Sequence, residues 1–272
     1  MLERTLTGLR NGLELRGAAA GYGSRLVFEG LDLAIASGRV TALCGPNGCG
    51  KSTMLRAMRA MLPLSAGAAL VDDGSVDALP VRERARRIAM LSQNPSAPDE
   101  MTVEDLVRLG RYAHRKRFAP AGPGDRQAAD AAMAAAGVDD IAARPIGSLS
   151  GGQLQRAWIA MVIAQAAPVI LLDEPTNHLD IAHALETLDL VARLCHREAR
   201  TVAVVLHDLN LAARHADDIV FLRQGRIVAQ GPVAQTFTRD VISSVFGIEC
   251  RVLSDEETGR PFCIPVRATG HG

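Results

Sequence analysis

The chain has 272 residues, enough for one large or two modest domains, and its 30 basic and 30 acidic side chains select neither nucleic acid nor an acidic surface as partner. Its five cysteines are scattered without a CxxC pair, which excludes a zinc knuckle or disulfide framework and fits a reducing, cytoplasmic setting. Only Lys51 and Lys116 are lysines, against a background of arginine, so a lysine inside a glycine loop is conspicuous. The N-terminal residues carry early charges and no apolar core segment, so no signal peptide is expected. The longest charge-free apolar stretch, Ala157 to Leu172, contains Gln165 and Pro168 and falls short of the roughly 20 residues that span a bilayer. The chain is therefore read as soluble, with any membrane crossing left to another polypeptide.

In chain order, LELRGAAA, LVFEGLDLAI and RVTALC read as strands, with Ser37-Gly38 turning the chain before the third. A glycine loop follows, then an apolar-periodic helix, STMLRAMRAML, stopped near Pro63. PLSAGAALVDDGSV is irregular and gives no firm strand boundaries. From about Asn94 the texture becomes helical. TVEDLVRLGRY has Thr102 as N-cap with Glu104 and Asp105 in its first turn, and DRQAADAAMAAAG is a helix closed by Gly137. QLQRAWIAMVIAQ is a further helix, with Trp158 packed in a core. VILLD and TVAVVL are apolar throughout, as strands of a parallel sheet covered on both faces. FLRQGRIVAQG reads as a hairpin turning at Gln224-Gly225, and CRVLS–DEETG–RPFCIPV as a second one.

Three motifs carry chemistry. Gly45, Gly48, Gly50, Lys51 and Ser52 satisfy G-x-x-x-x-G-K-[ST] between a strand and a helix. Glycines let backbone N–H groups surround a phosphate, the helix adds its positive end, Lys51 neutralises β/γ-phosphates and Ser52 offers a hydroxyl to Mg²⁺. PVILLDEP then supplies Asp173 at a strand end, placed to hold Mg²⁺, and Glu174 as candidate general base for an attacking water. His207, after TVAVVL, could touch a γ-phosphate and fix the water, and Gln93, in MLSQNP, could reach Mg²⁺ or water. Finally Leu149-Ser150-Gly151-Gly152-Gln153 opens a helix with Ser150 as cap, a second anion-binding N-terminus in the same chain. The residues leave open whether the two anion sites meet within one chain or between two.

In combination these motifs resemble the nucleotide-binding subunit of an ATP-binding cassette (ABC) transporter, over nearly the whole length. GPNGCGKST looks like the Walker A loop, so the resemblance implies ATP contacts from Gly45, Pro46, Asn47, Gly48, Cys49, Gly50, Lys51, Ser52 and Thr53. LSGGQ looks like the signature, bringing in Ser150, Gly151, Gly152 and Gln153, and Tyr22 in GYG fits the aromatic that stacks on adenine. Glu174, His207 and Gln93 fit the catalytic set, Ser52, Gln93 and Asp173 the Mg²⁺ ligands, and Asp180 in NHLD the D-loop aspartate. The implied fold is α/β: a P-loop NTPase core of mainly parallel sheet over 1–94 and 147–235, with an N-terminal antiparallel β subdomain. A helical subdomain spans 95–146 and a small C-terminal extension 236–272.

The resemblance further implies a head-to-tail dimer on the cytoplasmic face of a membrane, working with transmembrane permease subunits and, indirectly, a substrate-binding protein, but not with nucleic acid. The stretches SLSGGQLQRAWIAMVIAQ, VLHDLNLAARHADDIVFLRQGRIVAQGP and TVEDLVRLGRY are similar to ATPases of ferric-siderophore importers, with haem or cobalamin importer ATPases as alternatives. A soluble cassette protein acting on ribosomes or DNA fits less well, because this chain has one cassette and no long coiled-coil insertion. A small P-loop kinase or GTPase lacks the LSGGQ helix, and no NKxD motif is present. Cys49, among N–H donors and beside Lys51, is expected to have a lowered pKa. HRKR at 114–117 is read as a solvated face.

Overall fold

The computed structural model describes residues 12–115, 120–177 and 179–269. Two strands, β1 (Leu13–Tyr22) and β2 (Arg25–Ile35), pair antiparallel and lead into β3 (Val40–Cys44), the glycine loop and α1 (Lys51–Met58). The helix is shorter than its apolar pattern. Ala60 takes a left-handed φ of 53°, and Met61 and Ala60 donate back to the carbonyls of Arg56 and Ala57. That is a Schellman closure, which stops the helix before Pro63 can.

The irregular segment that follows resolves into β4 (Ala66–Val71) and β5 (Gly74–Ser75), joined by Asp72 and Asp73, both at positive φ. Two successive left-handed residues form a tight hairpin turn that short acidic side chains tolerate. These strands complete a four-stranded antiparallel sheet in the order β2-β1-β4-β5.

Beyond it lie α2 (Val81–Arg87), β6 (Ile88–Leu91), α3 (Val103–Leu109) and α4 (Pro123–Ala136). Thr102 caps α3 by accepting from the Asp105 N–H, and Gly137 closes α4 at φ 62°. α4 begins at Pro123, two residues ahead of DRQAAD, because proline is well suited to a first helical turn. Then come α5 (Gly151–Ala164), β7 (Val169–Asp173), α6 (Ile181–Glu198), β8 (Thr201–Val205), α7 (Leu209–His215), β9 (Asp218–Arg223) and β10 (Arg226–Pro232). Gln224 and Gly225, both at positive φ, turn β9 into β10.

These strands form a six-stranded sheet in the order β10-β9-β3-β8-β7-β6, parallel except at β10. Every residue of β3, β7 and β8 is buried, because each face has its own core. Leu43, Leu171 and Val205 face α1 and the antiparallel sheet, whereas Ala42, Leu172 and Val204 face the side of α5, α6 and α7, with Trp158 in the same core. Continuous apolar runs thus follow from two-sided burial. The chain ends with short α8 (Val233–Thr236), α9 (Arg239–Phe246) and the hairpin β11 (Ile248–Ser254) with β12 (Pro261–Ala268). Asn210 of α7 brackets the backbone of Cys263, accepting from its N–H at 2.7 Å and donating to its carbonyl at 3.2 Å.

In register, Leu43 lies beside Val205, Val205 beside Asp173 and Leu172 beside Leu91. The carboxyl ends of β3, β8, β7 and β6 therefore open on one edge. Ligands of open α/β sheets bind outside that edge.

Candidate nucleotide site

A cavity of about 1090 Å³ occupies this edge, lined among others by Tyr22, Lys51, Ser52, Gln93, Glu174 and His207. Its floor is the glycine loop. Gly48 has φ 73° and Gly50 has φ 108°, left-handed conformations that side chains disfavour. Gly45 is required for space: a Cβ there would lie 2.2 Å from the Leu222 carbonyl oxygen. No side chain caps α1 and no acidic residue sits in its first turn, so its N-terminus keeps its positive character. Lys51, only 5 % exposed, curls back to donate to the carbonyls of Gly45 at 2.8 Å and Pro46 at 3.0 Å. Asn47, Gly48, Gly50 and Thr53 also line the cavity, with Pro46 and Cys49 within the same loop. Tyr22 is half exposed at the rim, and its hydroxyl accepts from Arg56 at 3.3 Å.

Cys49 departs from expectation. It is buried, and burial pushes its thiol up; Lys51, whose Nζ is 3.9 Å from the sulfur, pulls the other way without prevailing. The cation is already engaged by the loop carbonyls, and desolvation of a thiolate is the larger effect. All five cysteines are free and buried.

Ser52 donates to Asp173 Oδ1 at 2.8 Å, while Asp173 Oδ2 is buried without a hydrogen-bond partner among the described residues. Burial, reinforced by neighbouring Glu174, raises the Asp173 carboxyl above the usual carboxylate range, against the Ser52 hydrogen bond. An orphaned carboxylate oxygen next to a hydroxyl, both hard oxygen donors, fits a small divalent cation such as Mg²⁺. Gln93 does not turn toward this pair. Its amide donates to Glu174 Oε2 at 2.6 Å.

Glu174 has the most constrained carboxylate of the site. Its backbone adopts φ 55°, rare for a side-chain-bearing residue and a mark of strain held by its surroundings. Oε1 is 2.6 Å from His207 Nε2, and Oε2 accepts from both Gln93 and Asn177. Four segments converge: the β7 end, the β6 end, the residue after Leu206 and the turn at Asn177. Asn177, three residues past Glu174 in TNHLD, belongs to none of the sequence motifs; a polar residue in the turn that follows a buried acidic strand end is the signal that marks it.

The LSGGQ segment lies elsewhere. Ser150 Oγ accepts from the Gln153 N–H at 3.3 Å and Gln153 Oε1 from the Ser150 N–H at 3.2 Å, a complete capping box at the start of α5. Ser150 and Gly151 are exposed, and none of Ser150, Gly151, Gly152, Gln153 or Asp180 lines the cavity. Asp180 caps α6, accepting from the His183 N–H at 2.9 Å. In the basic cluster, His114 Nε2 is 2.7 Å from the Gln165 carbonyl oxygen and half-buried, so that residue is not simply a solvated face; Lys116 and Arg117 lie outside the described residues.

A sequence profile described as "ABC transporter" matches residues 28–177. The ferric enterobactin transport ATP-binding protein FepC of Escherichia coli is 42 % identical over 249 residues, covering 92 % of each chain. A structure described as an inward-facing, metal-chelate type ABC transporter superimposes with a TM-score of 0.83 at 27 % identity, over 96 % of this chain and 99 % of that one. The dimeric bacterial ABC transporter cassette MJ0796 gives a TM-score of 0.72 at 28 % identity, over 81 % and 98 %. With a phosphate loop, an acidic strand end and a capped LSGGQ helix on this common scaffold, the chain belongs to the ABC transporter family.

Proposed function

We propose that this chain is the ATP-hydrolysing subunit of an importer of ferric siderophores, acting as a pair on the cytoplasmic face of a membrane against permease subunits. The observation that carries the reading is the separation of two anion-binding ends. The cavity holds Lys51, Ser52, Gln93, Glu174 and His207, while Ser150 and Gly151 stand exposed away from it. A second copy placed head to tail supplies each cavity with the missing LSGGQ end, as fits the likeness to a cassette solved as a dimer. Among the described residues no helix is long and apolar enough to cross a membrane, so the crossing falls to partner chains. The siderophore reading rests on the relatives, FepC being named for ferric enterobactin.

In this reading the triphosphate lies along the loop N–H groups and the start of α1, with adenine against Tyr22. Lys51 exchanges the Gly45 and Pro46 carbonyls for the β/γ-phosphates. Ser52 and Asp173 would hold Mg²⁺, which would supply neutralisation of the phosphate charge; the buried Asp173 Oδ2, without a hydrogen-bond partner among the described residues, fits that role. Glu174 begins with three of its four acceptor positions engaged by His207, Gln93 and Asn177, which leaves a water only one lone pair on Oε1. When nucleotide enters, the His207 Nε2–H turns to the γ-phosphate and frees Oε1 to accept a proton from the attacking water. The water oxygen bonds to the γ-phosphorus as the bond to the β-phosphate oxygen breaks, releasing ADP and phosphate. The partner's LSGGQ end supplies the dependence on pairing, because it closes the site over the nucleotide and completes it only in the closed state.

The test is uptake of radio-iron presented as a siderophore complex by host cells lacking this chain. Uptake is lost and returns with the wild-type chain but not with Lys51→Ala. Undiminished uptake without the chain would refute the siderophore assignment, and co-purification of the chain with a permease from membranes checks the assembly separately.

A further inference from the structure

His183 lies outside the cavity, yet joins its two missing pieces. Its ring Nδ1 is 2.7 Å from Asp180 Oδ1, the same oxygen that accepts its backbone N–H at 2.9 Å. These two hydrogen bonds hold the Asp180 carboxyl below its usual range. The carbon side of the ring lies against the signature: a Cβ added to Gly152 would lie 2.7 Å from His183 Cδ2 and 2.9 Å from Cγ. Gly152 is buried although it opens a helix whose preceding residues Ser150 and Gly151 are exposed. One turn further along, Arg156 of α5 reaches Glu186 of α6 at 3.7 Å. The starts of α5 and α6 are therefore fastened side by side through one imidazole, and only a glycine at 152 leaves it room.

We propose that His183 is a positioning residue that locks Asp180 to the LSGGQ helix, so that both meet the partner's nucleotide as one rigid unit. This rests on the two-chain site proposed above. The ring does so from two sides: Nδ1–H orients the aspartate, and the Cγ–Cδ2 side sets how closely α5 approaches. A hydrogen bond or an apolar contact alone would fix one of the two pieces, not their spacing. Because it acts on pairing rather than on the phosphate loop, its loss leaves nucleotide binding by a single chain intact.

The experiment measures ATP-driven pairing by sedimentation in a Glu174→Gln background, with binding of a fluorescent ATP analogue to dilute single chains as control. His183→Ala weakens pairing roughly tenfold, and Gly152→Ala, which displaces the ring, does the same; combined, they cost little more than either alone, the non-additivity expected of residues in contact. His183→Asn, which keeps a donor near Nδ1 but not the ring face, recovers part of the loss. Analogue binding to single chains and the melting temperature stay at parental values for His183→Ala and His183→Asn, which separates positioning from folding. Pairing of His183→Ala equal to the parent, additive losses in the double variant, or a loss that merely follows the melting temperature would each overturn the proposal. A parent that never pairs with ATP would overturn the two-chain reading as well, an outcome visible before any position-183 variant is compared.

Discussion

The two anion-binding ends of this chain are built to different degrees of completion. At the carboxyl edge of the parallel sheet, residues from four strand ends already converge, and Glu174 arrives with three side-chain partners. At the start of α5 the capping box is closed on itself, and among the described residues the exposed Ser150 and Gly151 face no such cluster. In the proposed two-chain site, the first end carries the catalytic groups and the second is the edge that closes over the partner's nucleotide. The difference teaches that one end draws its groups together within a single chain, whereas the other presents its cap outward; under the proposed function, control lies in what brings the second end over the first.

The largest effect expected is at the finished end. Glu174→Gln retains ATP but slows phosphate release by about 10²–10⁴-fold, the usual worth of a general base, and accumulates nucleotide-bound pairs. Unimpaired release would remove Glu174 from that role. At the unfinished end, Ser150→Arg leaves nucleotide binding to single chains unchanged and abolishes both pairing and hydrolysis. A fall in single-chain binding would erase the contrast between the two ends.

Much of this contrast was legible in the residues. The fold followed from continuous apolar runs, because VILLD and TVAVV have a core on each face, and from glycines where the loop demands positive φ. Caps at Thr102, Ser150 and Gly137 were readable because their side chains or flexibility act locally. Helix ends without such residues were not, since Ala60 closes α1 through backbone geometry that alanine does not announce. The site was legible as strand ends, but not as a network. That Gln93 turns to Glu174 rather than to Asp173, and that Asn177 joins it, depends on how four segments meet in space. Cys49 misled for a related reason: its positive neighbour is evident in the sequence, whereas its burial is not.

Two smaller effects sharpen the comparison. Asp173→Asn removes a buried charge whose folded-state pKa is raised, so the nucleotide-free protein melts a few degrees higher at neutral pH while losing the extra stabilisation that Mg²⁺ adds to ATP. The sign is fixed by linkage. The unfavourable charge is fully present above the raised pKa and vanishes as acid protonates the carboxyl, so the melting difference between variant and parent shrinks on acidification. A gap that widens in acid would contradict the burial argument. Last, Cys49 alkylates more slowly than a free cysteine at neutral pH and speeds up as pH rises, because its thiolate is disfavoured. Mass spectrometry of single-cysteine chains measures it, and fast labelling at neutral pH would reverse the assignment.

The most direct measurement mixes two inert forms, Lys51→Ala, with its LSGGQ end intact, and Ser150→Arg, with its phosphate loop intact. If every working site takes one end from each chain, each mixed pair holds one complete site of two, so mixing restores hydrolysis that neither form shows alone. A mixture that stays as inert as its parts, with no mixed pair retaining nucleotide, would place both ends of the site in one chain and contradict the account.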